Sequence, residues 1–275
     1  MALARKVGNR FWERLLIGEL TYPLFTTGRW EEATSLAAQI PEHEVGSGTT
    51  AGLLVALPEL HVGQGNPGEA RKLLVRFTAF LASADVQDRA LHAAATAALL
   101  HAEGRHPDAM AAGEAAFQAR RELGADAQAV KAGFTWAAEA AFALADLGKV
   151  QELLGAVEAL PPGHRPPLLQ AQAARVSARL AVAQGQRDGV QAGFKAAAGM
   201  LRELGVPFWL AVTLLEHAEW LAKEEDAQRA ELLRTEAGAI FQRLGARPWL
   251  ERLAIHRTGL PVPAGRETSA SSEQR

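Results

Sequence analysis

A short turn signal recurs along this chain at a nearly constant spacing, and that period constrains the fold more than any other feature. The unit is a helical run, a glycine or its equivalent, a short polar turn, and a small or apolar residue five positions on. It reads GRWEEA at Gly28–Ala33, GNPGEA at Gly65–Ala70, GRHPDA at Gly104–Ala109, GKVQEL at Gly148–Leu153 and GQRDGV at Gly185–Val190. A sixth copy, EDAQRA at Glu225–Ala230, replaces the glycine. The longest gap between successive starts is the one from Gly104 to Gly148. A second signal travels with the first. Leu-Gly closes a helical run at Leu123-Gly124, Leu204-Gly205 and Leu244-Gly245, and Trp209-Leu210 recurs one period later as Trp249-Leu250. Glycine tolerates the left-handed conformation that ends a helix. Acidic residues just after the turn suit the start of the next helix. One helical hairpin cannot bury its apolar face alone, so neighbouring units must stack.

The grammar is that of tetratricopeptide-like repeats with a slightly long unit. It predicts an all-α fold, a right-handed superhelix of about six such hairpins (an α-solenoid) with a short closing helix. The first helices are expected at 9–27, 50–64, 85–103, 126–147, 166–184 and 207–223. The second helices are expected at 30–40, 67–83, 107–123, 149–160, 187–204 and 226–244, and the closing helix at 247–257. Composition agrees. Ala and Leu make up 94 of 275 residues while Val and Ile number 19, which favours helix over sheet. Residues 1–258 form the expected repeat domain. The polar, Pro-bearing stretch 259–275 is expected to be a disordered tail.

Several function classes fall away. A net charge of -2 gives no broad basic field for duplex nucleic acid. Without cysteine there is no disulfide, thiolate metal site or cysteine nucleophile. No unbroken apolar run reaches the length of a membrane span, and Arg10, Glu13 and Arg14 interrupt the first apolar stretch. A cytoplasmic location without membrane or nucleic-acid partners is expected. Gly63-Gln64-Gly65-Asn66-Pro67-Gly68 matches a dinucleotide fingerprint, but a helical pattern precedes it where a strand is required, so it reads as a hairpin turn. The Gly46–Gly52 loop lacks the lysine of a phosphate loop; Thr49 or Thr50 is expected to cap the next helix. The eight histidines show no metal spacing: His101 and His106 are five apart, wrong for one helix face, and Glu216-His217-Ala218-Glu219 is not a zinc motif. No cofactor, metal or catalytic residue is expected. Trp209 and Trp249 read as wedges between repeats.

In such a hairpin the first helix lines the concave surface at positions 13, 10, 6 and 3 before the turn. Counting back from each turn gives mostly small and apolar residues, with a few polar ones: Tyr22, Glu59, His101, Gln172, Arg175, Arg179 and Glu219. These are the candidate groove-binding residues. Small residues leave room for a peptide to lie in the groove. Arg175 and Arg179, four apart on one helix face, suit a partner carboxylate.

Five segments carry a family resemblance: LTYPLFTTGRWEEA (20–33), ASADVQDRA (82–90), VEALPPGHRPP (157–167), RELGVPFWLAVTLLEHAEWL (202–221) and IFQRLGARPWLERL (240–253). Together they resemble the C-terminal tetratricopeptide-like region of bacterial signalling ATPases linked to adenylate/guanylate cyclases, and of large LuxR-type ATP-binding regulators. No G-x-x-x-x-G-K-[ST] loop occurs, so the resemblance implies a detached or truncated arm rather than the enzyme. It implies a non-catalytic interaction or regulatory module in signal transduction. Its partner would be a protein or peptide segment, an ATPase- or cyclase-type partner among them. The alternative is a small-molecule-sensing module of a transcriptional regulator. Phe11, Trp12, Leu15, Leu16 and Ile17 make the first helix apolar for an end of the row, so self-association through the first hairpin is a further expectation.

Overall fold

The computed structural model describes residues 1–46 and 48–258, with side chains to residue 255; the expected tail lies outside the described residues. The described chain is helical and contains no strand. In order come Ala2–Lys6 (α1), Arg10–Thr26 (α2), Trp30–Ala37 (α3), Leu53–Gly63 (α4), Pro67–Arg76 (α5), Val86–Ala102 (α6), His106–Gln118 (α7) and Arg120–Leu123 (α8). Then follow Gln128–Ala143 (α9), Leu147–Glu158 (α10), Pro167–Ala183 (α11), Val190–Glu203 (α12), Pro207–Lys223 (α13), Ala227–Leu244 (α14) and Arg247–Thr258 (α15). Short 3₁₀ turns at Glu42–Glu44, Gly48–Thr50, Thr78–Ala82 and Pro162–His164 fill the loops.

Most turn residues do what the sequence asks. Gly28, Gly65, Gly104 and Gly185 each adopt φ between 74° and 78°. In the sixth unit Glu225 takes the same role at φ 63°. The fourth unit differs from expectation. Its left-handed residue is Ala145 at φ 55°, not Gly148, which lies inside α10. Asp146 sets this boundary by accepting a hydrogen bond from the Lys149 backbone N–H at 2.9 Å, an N-cap that outweighs the glycine signal. With Ala145 as the fourth turn, the long gap after Gly104 shortens and the gap before Gly185 lengthens, so the period becomes more even. A second difference lies before α4. Thr50 caps no helix there; its buried hydroxyl accepts from the Gly46 N–H at 3.1 Å, and α4 starts after Gly52.

Each first helix packs on its second: α2 on α3, α4 on α5, α6 on α7, α9 on α10, α11 on α12 and α13 on α14. The first helices also touch in sequence order, α2–α4–α6–α9–α11–α13. The two ends of this row then meet. Trp30 of α3 packs on Phe208 of α13 with ring centroids 5.3 Å apart. Gln64, after α4, donates to the Leu244 carbonyl at 3.3 Å, and Arg247 donates to the Gln64 carbonyl at 3.0 Å. One core therefore joins Ile17, Phe25 and Trp30 near the start to Phe208, Leu244 and Leu253 near the end. A second core fills the middle around Phe77, Phe117, Phe134 and Leu169.

Candidate functional site

Because the row closes on itself, the inner faces of the first helices face one another at short range. Trp136 of α9 and Trp209 of α13 meet edge-on with centroids 5.7 Å apart. The Arg175 guanidinium sits over the Trp209 ring at 4.9 Å. Among the described residues, Phe208 and Trp209 line two spaces between the inner faces.

The first is an interior cavity of about 40 Å³ lined by Tyr22, Glu59, Lys131, Thr135 and Gln172 among others. That volume suits a water or two, not an organic ligand. Glu59 is 8% exposed, and burial pushes its carboxyl up to about 7, against which the nearby Trp136 N–H acts weakly. That indole N–H makes no hydrogen bond of full geometry. Burial, then the Glu59 and Asp126 charges, raise the Tyr22 phenol above its usual range.

The second is a cleft of about 480 Å³ at the other end of the inner faces. Trp136, Phe208, Trp209 and Trp249 give it aromatic walls, while His101, Glu139 and Arg252 bring polar groups. Its rim is made where the chain ends meet, from Gly63, Gly65 and Pro67 on one side and Pro248 on the other. Phe208 and Trp249 pack edge to face at 5.7 Å. Arg252 spans from the Trp249 ring, 5.4 Å away, to a two-pronged pair with Glu219 at 2.8 and 2.7 Å.

Behind the cleft lies a buried ionic cluster. Arg175 is wholly buried and donates to both oxygens of Glu216 at 2.8 and 2.9 Å, to Gln172 at 3.0 Å and to Glu139. Arg179 also reaches Glu139, lies 3.2 Å from Glu216, and covers the Phe142 ring at 4.1 Å. Burial by itself raises the Glu139 pKa. The Arg175 and Arg179 charges outweigh it and hold the carboxyl at about 2.

The expected groove residues thus divide into groups. Tyr22, Glu59 and Gln172 share the interior cavity, and Gln172 also joins the ionic cluster. Arg175 and Arg179 pair within the chain with Glu139 and Glu216, carboxylates of the neighbouring first helices α9 and α13. His101 lines the cleft, and Glu219 stands behind Arg252. The spacing argument against His101 and His106 assumed one helix. They lie on α6 and α7, and the turn brings their rings to 5.0 Å. Among the described residues no group of three or more metal-ligating side chains is gathered.

Glu139 escaped the register because the fourth turn was counted from Gly148. Counted from Ala145, Glu139 stands six positions before the turn, level with Tyr22, Glu59, Arg179 and Glu219. Arg252 and Trp249, on the closing helix, have no place in a hairpin register at all.

Two buried groups set opposing pH dependences. Glu59 has a folded pKa raised from 4.5 to about 7, so its ionisation lowers stability as pH rises through that window. His217 stacks on Phe194 at 5.2 Å, and burial, aided by Lys195 and Arg229, lowers its pKa to about 4. The folded state then binds fewer protons than the unfolded chain, and stability is lost as pH falls from 6.5 towards 4. In the native chain the two slopes oppose each other between about pH 4.5 and 6.5. Glu59→Gln is expected to expose the His217 slope and to gain about 2 kcal/mol over the native chain between pH 5 and pH 8. Urea titrations at intervals of one pH unit measure this; parallel curves for the two proteins would refute it.

No helix among the described residues is long and apolar enough to cross a membrane. No protein-family model and no curated protein matches this chain.

Proposed function

We propose that the chain is a non-catalytic sensing module, a closed row of about six tetratricopeptide-like hairpins that holds a compact ligand in the aromatic cleft. One observation carries the reading. Among the described residues, the inner faces leave a half-open cleft of organic-ligand size, about 480 Å³ with three tryptophans and a phenylalanine. Ligand sites are typically apolar concavities of roughly 300–1,000 Å³ with a few convergent polar groups. An extended peptide would need the inner faces apart, and the Trp136–Trp209 contact and the Arg175 cluster hold them together. The resemblance to large LuxR-type regulators, which implies the small-molecule-sensing alternative, fits this role. So does the pairing of Glu139, Glu216 and Glu219 with arginines, which leaves these carboxylates poorly placed to act as bases. The test is a thermal-unfolding screen of small metabolites and of short peptides, followed by tryptophan emission. A small molecule at 100 times its Kd should add about 2.7 kcal/mol of stability. Binding by peptides alone would overturn the reading.

The first hairpin supports a second role, self-association. Leu3, Val7, Phe11 and Trp12 stand 72%, 65%, 54% and 52% exposed, although α1 folds back and Arg5 bonds to Glu13 at 2.8 Å. Phe11 and Trp12 pack edge to face at 5.7 Å, a preformed aromatic knob. Sedimentation equilibrium should show a dimer whose Kd rises at least about tenfold on Trp12→Glu, the ~1.4 kcal/mol expected for losing one buried aromatic contact. A monomer at all concentrations removes this role.

A further inference from the structure

We propose that the ligand of the aromatic cleft is a small planar aromatic carboxylate, an inference that rests on the compact-ligand reading above. The shape argument comes first. Trp136, Phe208, Trp209 and Trp249 offer flat surfaces in edge-on arrangements, with 5.7 Å between Trp136 and Trp209 and between Phe208 and Trp249. Aromatic rings seat in such walls by offset stacking and edge-to-face contact.

The charge argument selects the anion. Glu139 lines the cleft, but Arg175 and Arg179 both neutralise it. Arg252 also lines the cleft, while its partner Glu219 does not. In the Arg252–Glu219 and Arg179–Glu216 pairs the guanidinium is the more exposed member, whereas Arg175 is less exposed than either of its carboxylates. Arg252 is 36% exposed against 17% for Glu219, and Arg179 is 19% exposed against 4% for Glu216. At Arg252 the positive end therefore faces the space a ligand would enter and Glu219 lies behind it, while Glu139 is neutralised by arginines that stand behind it. Glu219 occupies Nε and one terminal nitrogen of Arg252. A guanidinium has five N–H donors, so further donors remain for a second carboxylate. His101 adds a neutral polar edge: burial lowers its pKa, and its buried Nδ1 has no hydrogen-bond partner among the described residues. A cationic ligand would meet Arg252 in the same space, with no unneutralised carboxylate among the described lining residues to receive it.

A matched series that shares one ring system tests the charge preference by calorimetry on the full chain: indole-3-acetate, indole and tryptamine. The expected order is indole-3-acetate tightest, at least tenfold tighter than indole, with tryptamine weakest. Arg252→Gln should erase the preference for the acid while indole still binds. Arg252→Lys, which keeps the charge and serves as the folding control, should retain part of it. Tryptamine binding as well as the acid would overturn the anion inference and leave the compact-ligand reading standing. No binding by any of the three at millimolar concentration, with peptides binding instead, would overturn both. A preference for the acid that survives Arg252→Gln would place the anion elsewhere and sink the assignment.

Discussion

Arg175→Ala is expected to destabilise the protein by about 3–5 kcal/mol, because it leaves two buried carboxylates with the single positive charge of Arg179 between them. Glu216 is 5% exposed and Glu139 8%, and both take hydrogen bonds from this one guanidinium. Arg179 remains beside them, but it is held over Phe142 and cannot fill the vacated space without leaving that ring. Each kcal/mol moves the melting temperature of a chain of this size by roughly 2–4 °C, so a drop of about 10 °C or more should be seen. The loss comes from leaving charges unpaired, which a second variant can show. Replacing Arg175, Arg179, Glu139 and Glu216 together by Met and Leu removes the cluster without orphaning a charge and should recover most of the stability. The acid limb provides a further readout. The contribution of Glu139 is complete above its unfolded pKa near 4.5 and is lost as pH falls from there towards 2. If Arg175→Ala and the fourfold replacement melt together, unpaired charge is not the source of the loss.

Most of the helices and hairpin turns were legible in the sequence, since a left-handed residue must end each first helix and glycine marks five of the expected turns. The failure at the fourth turn is instructive. Ala145 accepts the left-handed conformation because Asp146 caps the next helix, and the shift in the count from Gly148 then hid Glu139. The candidate site was legible only in pieces. Register places Tyr22, Glu59, Arg175, Arg179 and Glu219 on inner faces, but it carries no information about distance across the row. Arg175 meets Glu216 on the neighbouring first helix, whereas the meeting of the two ends of the row is decided by contacts of the kind Gln64 makes with Leu244, 180 residues away. No local period encodes such contacts. The cleft owes its rim to the same closure, which is why Trp249 and Arg252 could be seen as residues but not as a site.

Gly133→Ala should destabilise the protein by about 3 kcal/mol, near the upper end of overpacking costs. A Cβ at Gly133 would lie 2.7 Å from the Ala116 Cβ, the Gly113 carbonyl oxygen and the Phe117 nitrogen. A Cβ at Gly113 would lie 2.7 Å from the Ala137 nitrogen and 2.9 Å from the Gly133 carbonyl oxygen. None of these atoms is the end of a flexible side chain. The helices α7 and α9 cross backbone on backbone here, so one methyl can enter only if they separate. Two glycines inside helices each cost roughly 0.5–1 kcal/mol in propensity, and close approach is what offsets that cost. Gly155→Ala measures the propensity gain alone, because nothing lies within 4 Å of a Cβ there, and it should stabilise slightly. The double variant Gly113→Ala/Gly133→Ala should cost less than the sum of the singles, since helices parted by the first methyl admit the second. Separation at this crossing also reaches the cleft. Trp136 and Glu139 stand on α9 just past Gly133, and both line it. Gly133→Ala protein that still folds should therefore bind the cleft ligand more weakly, although no atom of Gly133 lines the cleft. Undiminished affinity in that variant would mean that α9 keeps its place by other contacts and that the glycine crossing serves packing alone.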